Sequence, residues 1–102
     1  MTPEHKIMNE IRLWCGENNL LCFRCNVGKV RMYNGGYFDT GLPSGFSDLI
    51  ILANKTIYFC EVKAHGGRQR PDQIAFMDMI RSYGYVYFIA RSVNDCLFII
   101  NK

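Results

Sequence analysis

Apolar positions along this chain repeat with two periods, one helical and one strand-like. In "TPEHKIMNEIRLWCGENN", Ile7, Ile11 and Trp14 recur at helical spacing. Thr2 can cap that helix, Pro3 suits its first position, Glu4 falls in its first turn, and "GENN" ends the pattern. "LLCFRCNV" and "KVRMY" are β-prone runs separated by a turn near Gly28, and "NGG" at residues 34–36 marks a second hairpin or loop. "DTGLPSG" is a loop of turn residues. "FSDLIILA" and "TIYFCEVK" are two strands joined by Asn54 and Lys55, a connection of hairpin length. After the flexible, basic "HGGRQR", Pro71 opens a second helix in which Ile74, Met77 and Ile80 or Arg81 share a face and Gly84 supplies the stop. "YVYFIA" reads as a buried strand and "CLFIIN" as a last one after the turn at "SVND". The order of helix, strands, helix, strand, strand predicts an α/β or α+β sandwich built on a mixed sheet.

The central hairpin contains a charge problem. With Asn54 and Lys55 as the turn, Ala53 pairs with Thr56, Leu52 with Ile57, Ile50 with Phe59 and Asp48 with Glu61. The two acids face each other, and Lys63 lies on the same side. Ile50, Leu52, Ile57 and Phe59 share that face, while Leu49, Ile51, Ala53, Tyr58, Cys60 and Val62 share the other, so both faces are covered. Opposed like charges destabilise a sheet, and carboxylates at the edge of a covered face are costly to desolvate without a cation or hydrogen-bond donors. Lys63 offsets one charge. A divalent metal with oxygen ligands, most simply Mg²⁺, would offset the remainder and keep positions open for water and a phosphate oxygen. The competing arrangement is a plain ion-pair cluster, with Lys63 on Glu61 and Asp48 capping the loop at residues 44–47.

Composition limits the alternatives. At 102 residues and 49% hydrophobic, the chain suits one domain over residues 1–102 with a modest core. No run approaches the roughly 18 apolar residues that cross a bilayer, and "MTPEHKIMNE" lacks the apolar centre of a signal peptide, so a cytoplasmic protein is expected. The five cysteines are odd in number and sit mostly in apolar stretches, as reduced thiols do. Cys22 and Cys25 have zinc-like spacing, but a structural site needs about four ligands, and no second pair follows. The net charge of +3 permits a polyanionic partner without requiring one.

"GFSDLIIL", then "EVK", a Gly-rich basic loop and "PDQIAFMDMIRSYG" together resemble the VRR-NUC family of the PD-(D/E)XK nuclease superfamily. The upstream "FRCNVG" is similar to that family's Arg-Asn-x-Gly segment, here Arg24, Asn26 and Gly28. The resemblance extends from the first helix to about Ala90. It implies a restriction-endonuclease-like fold, a mixed central sheet flanked by helices, and Mg²⁺- or Mn²⁺-dependent hydrolysis of DNA. By the same resemblance Asp48, Glu61 and the Val62 carbonyl would hold the metal, and Lys63 would orient the attacking water and stabilise charge on the phosphate. Gln73 would support Lys63 or a phosphate. The superfamily's first-helix glutamate would be Glu10 or Glu4; Glu10, beside the stripe of Ile7 and Trp14, is favoured. The chain departs from the family in carrying Ser47 where proline commonly precedes the first acid.

Small stand-alone members of the family resemble phage or bacterial proteins, and the fold is related to Holliday-junction resolvases, which implies a bacterial host cell if the chain is phage-encoded. Paired nicks need two active sites, which a symmetric homodimer supplies. "YVYFIA", "CLFIIN" and the aromatics Tyr33, Tyr37 and Phe38 offer apolar surface for one. Lys29, Arg31, Arg68 and Arg70 would contact phosphates, which position DNA without reading its sequence. A structure-selective endonuclease acting on branched DNA is therefore expected first. A general or nicking DNA endonuclease comes second, and a non-catalytic DNA-binding module third.

Overall fold

A computed structural model describes residues 1–101. Helix α1 (Pro3–Glu17) starts where the Thr2 hydroxyl accepts the His5 N–H at 3.1 Å, and ends at Asn18, whose side chain donates to the Trp14 carbonyl at 2.8 Å. Strands β1 (Leu21–Arg24), β2 (Lys29–Arg31), β3 (Tyr37–Asp39), β4 (Leu49–Ala53) and β5 (Thr56–Val62) follow. Helix α2 (Pro71–Ser82) then leads to strand β6 (Val86–Ala90) and a 3₁₀ segment, Val93–Ile99. The main sheet runs β1-β4-β5-β6, antiparallel except for β5 and β6, which lie parallel with α2 as their crossover. Among the described residues no helix is long and apolar enough to cross a membrane.

The period-two alternation of β4 and β5 divides the core between the two faces of the sheet. On one face Leu49, Ile51, Tyr58, Cys60 and Val62 pack against Met8, Ile11 and Cys15 of α1 and against Cys96 and Ile99. On the other, Phe59 and Tyr87 pack against Phe76 of α2, with Phe46, Ile50 and Ile57 around them. The turn between β4 and β5 holds Asn54 and Lys55 at φ +54° and +60°, the left-handed pair of a type I′ hairpin. Asn54 also donates to the Tyr58 hydroxyl at 2.9 Å and to the Ile99 carbonyl at 2.8 Å, tying the hairpin to the C-terminal segment.

Three local expectations need correction. "CLFIIN" is not a strand: Cys96 and Ile99, three residues apart, point the same way in a 3₁₀ turn and fill the α1 face, and a short apolar run does not distinguish these outcomes. The two runs flanking Gly28 do not pair with each other. β1 crosses to β4, matching Leu21 with Leu52 and Arg24 with Leu49, while β2 pairs with β3 across the "NGG" turn. The buried stripe of α1 is Met8, Ile11 and Cys15, and Ile7 and Trp14 flank it, partly buried.

Candidate functional site

Asp48 immediately precedes β4, and one further step of the register beyond the Leu49–Cys60 pair sets it opposite Glu61. Backbone bonding fixes it on the other side as well, because the Cys25 N–H donates to the Asp48 carbonyl at 2.8 Å. Its side chain accepts the Val62 N–H through Oδ2 at 2.7 Å. Burial raises the Asp48 carboxyl above the ordinary range, against the pull of that N–H; the carboxylates of Glu4 and Glu61 add to the rise and Lys63 counters it. Ser47, at the position where proline is common, is fully buried and donates to the Leu49 carbonyl at 3.0 Å.

Glu61 is 1% exposed. Its Oε1 accepts from the Tyr87 hydroxyl at 2.6 Å and from Gln69 Nε2 at 3.1 Å. Burial and the adjacent carboxylate raise the Tyr87 phenol, so it serves as a neutral donor. Glu61 Oε2 has no hydrogen-bond partner, and the Lys63 ammonium stands 3.8 Å away. A buried carboxylate oxygen without a donor is costly, and is the kind of atom that a cation satisfies.

The loop before Asp48 touches α2 closely. Gly45 adopts φ +87°, and a Cβ there would meet the Asp72 carbonyl oxygen at 2.3 Å. The Ser44 hydroxyl bonds Asp72, and this contact together with Arg70 lowers the Asp72 carboxyl. Gln73 is buried, and its Oε1 accepts the Arg70 N–H at 2.9 Å, closing the first turn of α2. A cleft of about 310 Å³ opens here, lined among others by Glu4, Arg24, Asn26, Asp48, Arg70 and Gln73. Acidic groups and guanidinium groups thus share one concave surface.

The structure brings Asp48, Val62, Gln73 and Arg70 to the cleft wall, while Glu61 and Lys63 are buried and do not line it. Glu10 is exposed and does not line the cleft; Glu4, nearer the helix start, does. Of the two helix acids it is Glu4, not the favoured Glu10, that lies near Asp48, because the first turn of α1 borders the cleft. Lys29, Arg31 and Arg68 are exposed outside the cleft lining, which includes Arg24 instead. Tyr87 and Gln69 were not singled out by the sequence. A phenol alternating with apolar residues in "YVYFIA" was the available signal. Among the described residues no three His, Cys, Asp or Glu side chains gather into a metal-binding group, so any ion would rely on the backbone and water for part of its shell. Cys22 packs against the α1-face cluster that contains Cys15.

A family model described as "VRR-NUC domain" matches residues 4–94. Two solved structures are similar. One, titled "VRR_NUC domain", is 21% identical with a TM-score of 0.73, covering 99% of this chain and 97% of that one. Another, "VRR_NUC domain protein", is 16% identical with a TM-score of 0.69, covering 96% and 84%. No curated protein matches significantly. At these identities the two structures support the shared fold, a four-stranded mixed sheet flanked by helices.

Proposed function

The chain belongs to the VRR-NUC family, a nuclease-type DNA-processing domain, and from that premise we propose that it is a Mg²⁺- or Mn²⁺-dependent endonuclease that cuts branched DNA such as Holliday junctions. The observation that carries the metal-dependent reading is Glu61 Oε2, buried without a donor on the residue that the strand register sets opposite Asp48. Oxygen donors from Asp48, Glu61 and the Val62 carbonyl suit a hard divalent ion, with Glu4 close enough to Asp48 to add charge. When bound, such an ion supplies Lewis-acid polarisation of a phosphate oxygen and a more acidic water.

The chain's own residues do the positioning. Lys63, a compact cation held beside Glu61, offers N–H donors to the attacking water or to the phosphate oxygen on which charge develops. Arg24 and Arg70 at the cleft rim contact the flanking phosphates. Gln73 holds the first turn of α2, and Arg70 with it, against the cleft. Tyr87 and Gln69 fix one oxygen of Glu61 and leave the other facing Lys63. A symmetric homodimer would supply the second site that paired nicks need.

The test is an end-labelled four-way junction and the matching linear duplex, each incubated with Mg²⁺, Mn²⁺ or EDTA and with wild type or Glu61→Ala. Metal-dependent cutting of the junction alone, lost in a folded Glu61→Ala protein, is the expected result. Equal cutting of both substrates identifies a general or nicking endonuclease. No cutting with either metal overturns the enzymatic reading in favour of a DNA-binding module, and sedimentation as an 11.8 kDa monomer removes the paired-nick argument.

A further inference from the structure

Between β1 and β4 the chain forms a separate two-stranded hairpin, in which β2 and β3 pair only with each other. Every residue from Arg31 to Asp39 is exposed, including Tyr33 at 106%, Tyr37 at 66% and Phe38 at 59%. An isolated hairpin of this size is marginally stable in water, and the hairpin leaves three aromatic rings mostly exposed. The pairing of Arg31 with Tyr37 and Lys29 with Asp39 turns two cations, an aromatic ring and one acid to one face, a net positive surface, with Phe38 on the other. The hairpin also springs from the cleft: its first strand follows Arg24, Cys25, Asn26 and Val27, which line the cavity, and Thr40 is tied back to Gly28 at 2.9 Å. At about 3.3 Å per residue, Tyr33 lies roughly 15 Å beyond that base, a span of a few nucleotides.

We propose that residues 29–39 form a base-stacking arm, in which Tyr33 and Tyr37 receive unpaired bases next to the scissile phosphate while Lys29 and Arg31 hold the adjoining backbone. Aromatic rings interleaved with cations are the chemistry of single-strand binding, where each base presents a π-face and each phosphate a charge. In closed duplex those π-faces are covered by neighbouring bases, so the rings engage only where a branch, gap or flap leaves bases unstacked. A second copy of the chain fits this face less well, because the centre of a protein interface is depleted of charge and lysine is disfavoured there. This inference rests on the nuclease reading and gives it a substrate class, DNA with unpaired nucleotides beside the cut.

Binding measured in EDTA separates the arm from catalysis. Fluorescence anisotropy would follow a labelled single-stranded oligonucleotide and the corresponding duplex against wild type, Tyr33→Ala/Tyr37→Ala and Lys29→Ala/Arg31→Ala, with melting curves confirming that each is folded. Removing the rings is expected to weaken single-strand binding by at least about 5-fold per stacked base, with duplex binding within twofold of wild type. Removing the cations is expected to weaken both and to lower the salt slope by about 1.4 on the single strand and about 1.8 on the duplex. Equal loss on the two substrates after ring removal, or no loss, overturns the proposal. So does conversion of a dimer to a monomer with selectivity unchanged, which would make the arm an interface between copies. Stacking retained in a protein that cuts nothing would leave the arm standing and remove the nuclease reading.

Discussion

Gly45→Ala measures how firmly the loop carrying Asp48 is seated on α2. A left-handed backbone at φ +87° costs an alanine about 1–2 kcal/mol. The new methyl would also lie 2.3 Å from the Asp72 carbonyl oxygen and 2.6 Å from its carbon, so ordinary contact requires the loop or the helix start to retreat by about 1 Å. Forced overpacking of this kind costs about 1–3 kcal/mol. The combined loss of about 2–5 kcal/mol corresponds to a melting temperature lower by at least about 10 °C in a domain of this size. Gly28→Ala is the control, since Gly28 has a similar φ of +78° with nothing within 4 Å of the added methyl. Thermal unfolding by far-UV circular dichroism of both variants isolates the contact from the backbone strain. In the folded fraction, junction cutting is expected to fall by about 10²-fold for Gly45→Ala, because a displacement near 1 Å at a reacting centre has that effect. Equal melting temperatures for the two variants would refute the close approach, and with it the account of how the loop is placed.

Lys55→Gly is expected to stabilise the protein by about 0.5–1 kcal/mol, since it relieves a non-glycine residue at φ +60° beside Asn54; urea denaturation with an unchanged or lower midpoint would contradict this. Tyr87→Phe keeps the ring against Phe76 but removes the 2.6 Å bond to Glu61, with an expected loss of about 1.5–3 kcal/mol in stability and about 10–100-fold in cleavage, read from melting curves and initial rates. Asp48→Asn tests the raised carboxyl. The native state holds that proton more tightly than the unfolded chain, so the group favours folding below the ordinary carboxylate pKa of about 3.9, and this contribution is lost as pH rises through the raised value. Asparagine can still accept the Val62 N–H. In EDTA the variant should therefore be the more stable at neutral pH, with its advantage shrinking in acid; a difference independent of pH would refute the burial argument.

The β4–β5 register was readable from sequence because a two-residue turn and strict alternation leave one pairing, and Asp48, Glu61 and Lys63 follow from counting outward. Local pattern also located both helices. It failed where partners are distant in sequence. Nothing near Gly28 indicates that Leu21 will choose Leu52 over the next run, because β1 gains burial beside a central strand that a short hairpin would not provide. Periodicity reports angle around a helix, and so favoured Glu10; it does not report which turn of α1 borders the cleft, which is what brings Glu4 there. Gln69 and Tyr87 reach Glu61 from a loop and from a parallel neighbour whose register depends on the crossover helix. That register is a tertiary property, and no spacing in the chain encodes it by itself.

The two faces of the sheet divide stability from chemistry. On the α1 face the buried residues are apolar or thiol-bearing apart from the Tyr58 hydroxyl, which Asn54 satisfies. Among the described residues, tyrosines aside, the buried polar or charged side chains are Ser47, Glu61, Lys63 and Gln73, and all four lie in or beside the cleft region. Ser47 and Gln73 have backbone partners, whereas Glu61 keeps one oxygen bare beside a lysine. The α2 face has a smaller apolar cluster of Phe59, Phe76 and Tyr87, so it has less burial with which to offset that desolvation. A cation at Glu61 and Asp48 would therefore act on the weaker half of the fold, where relieving one orphaned oxygen changes the balance most. The same bare oxygen that makes Glu61 costly in the free protein would suit it to a cation.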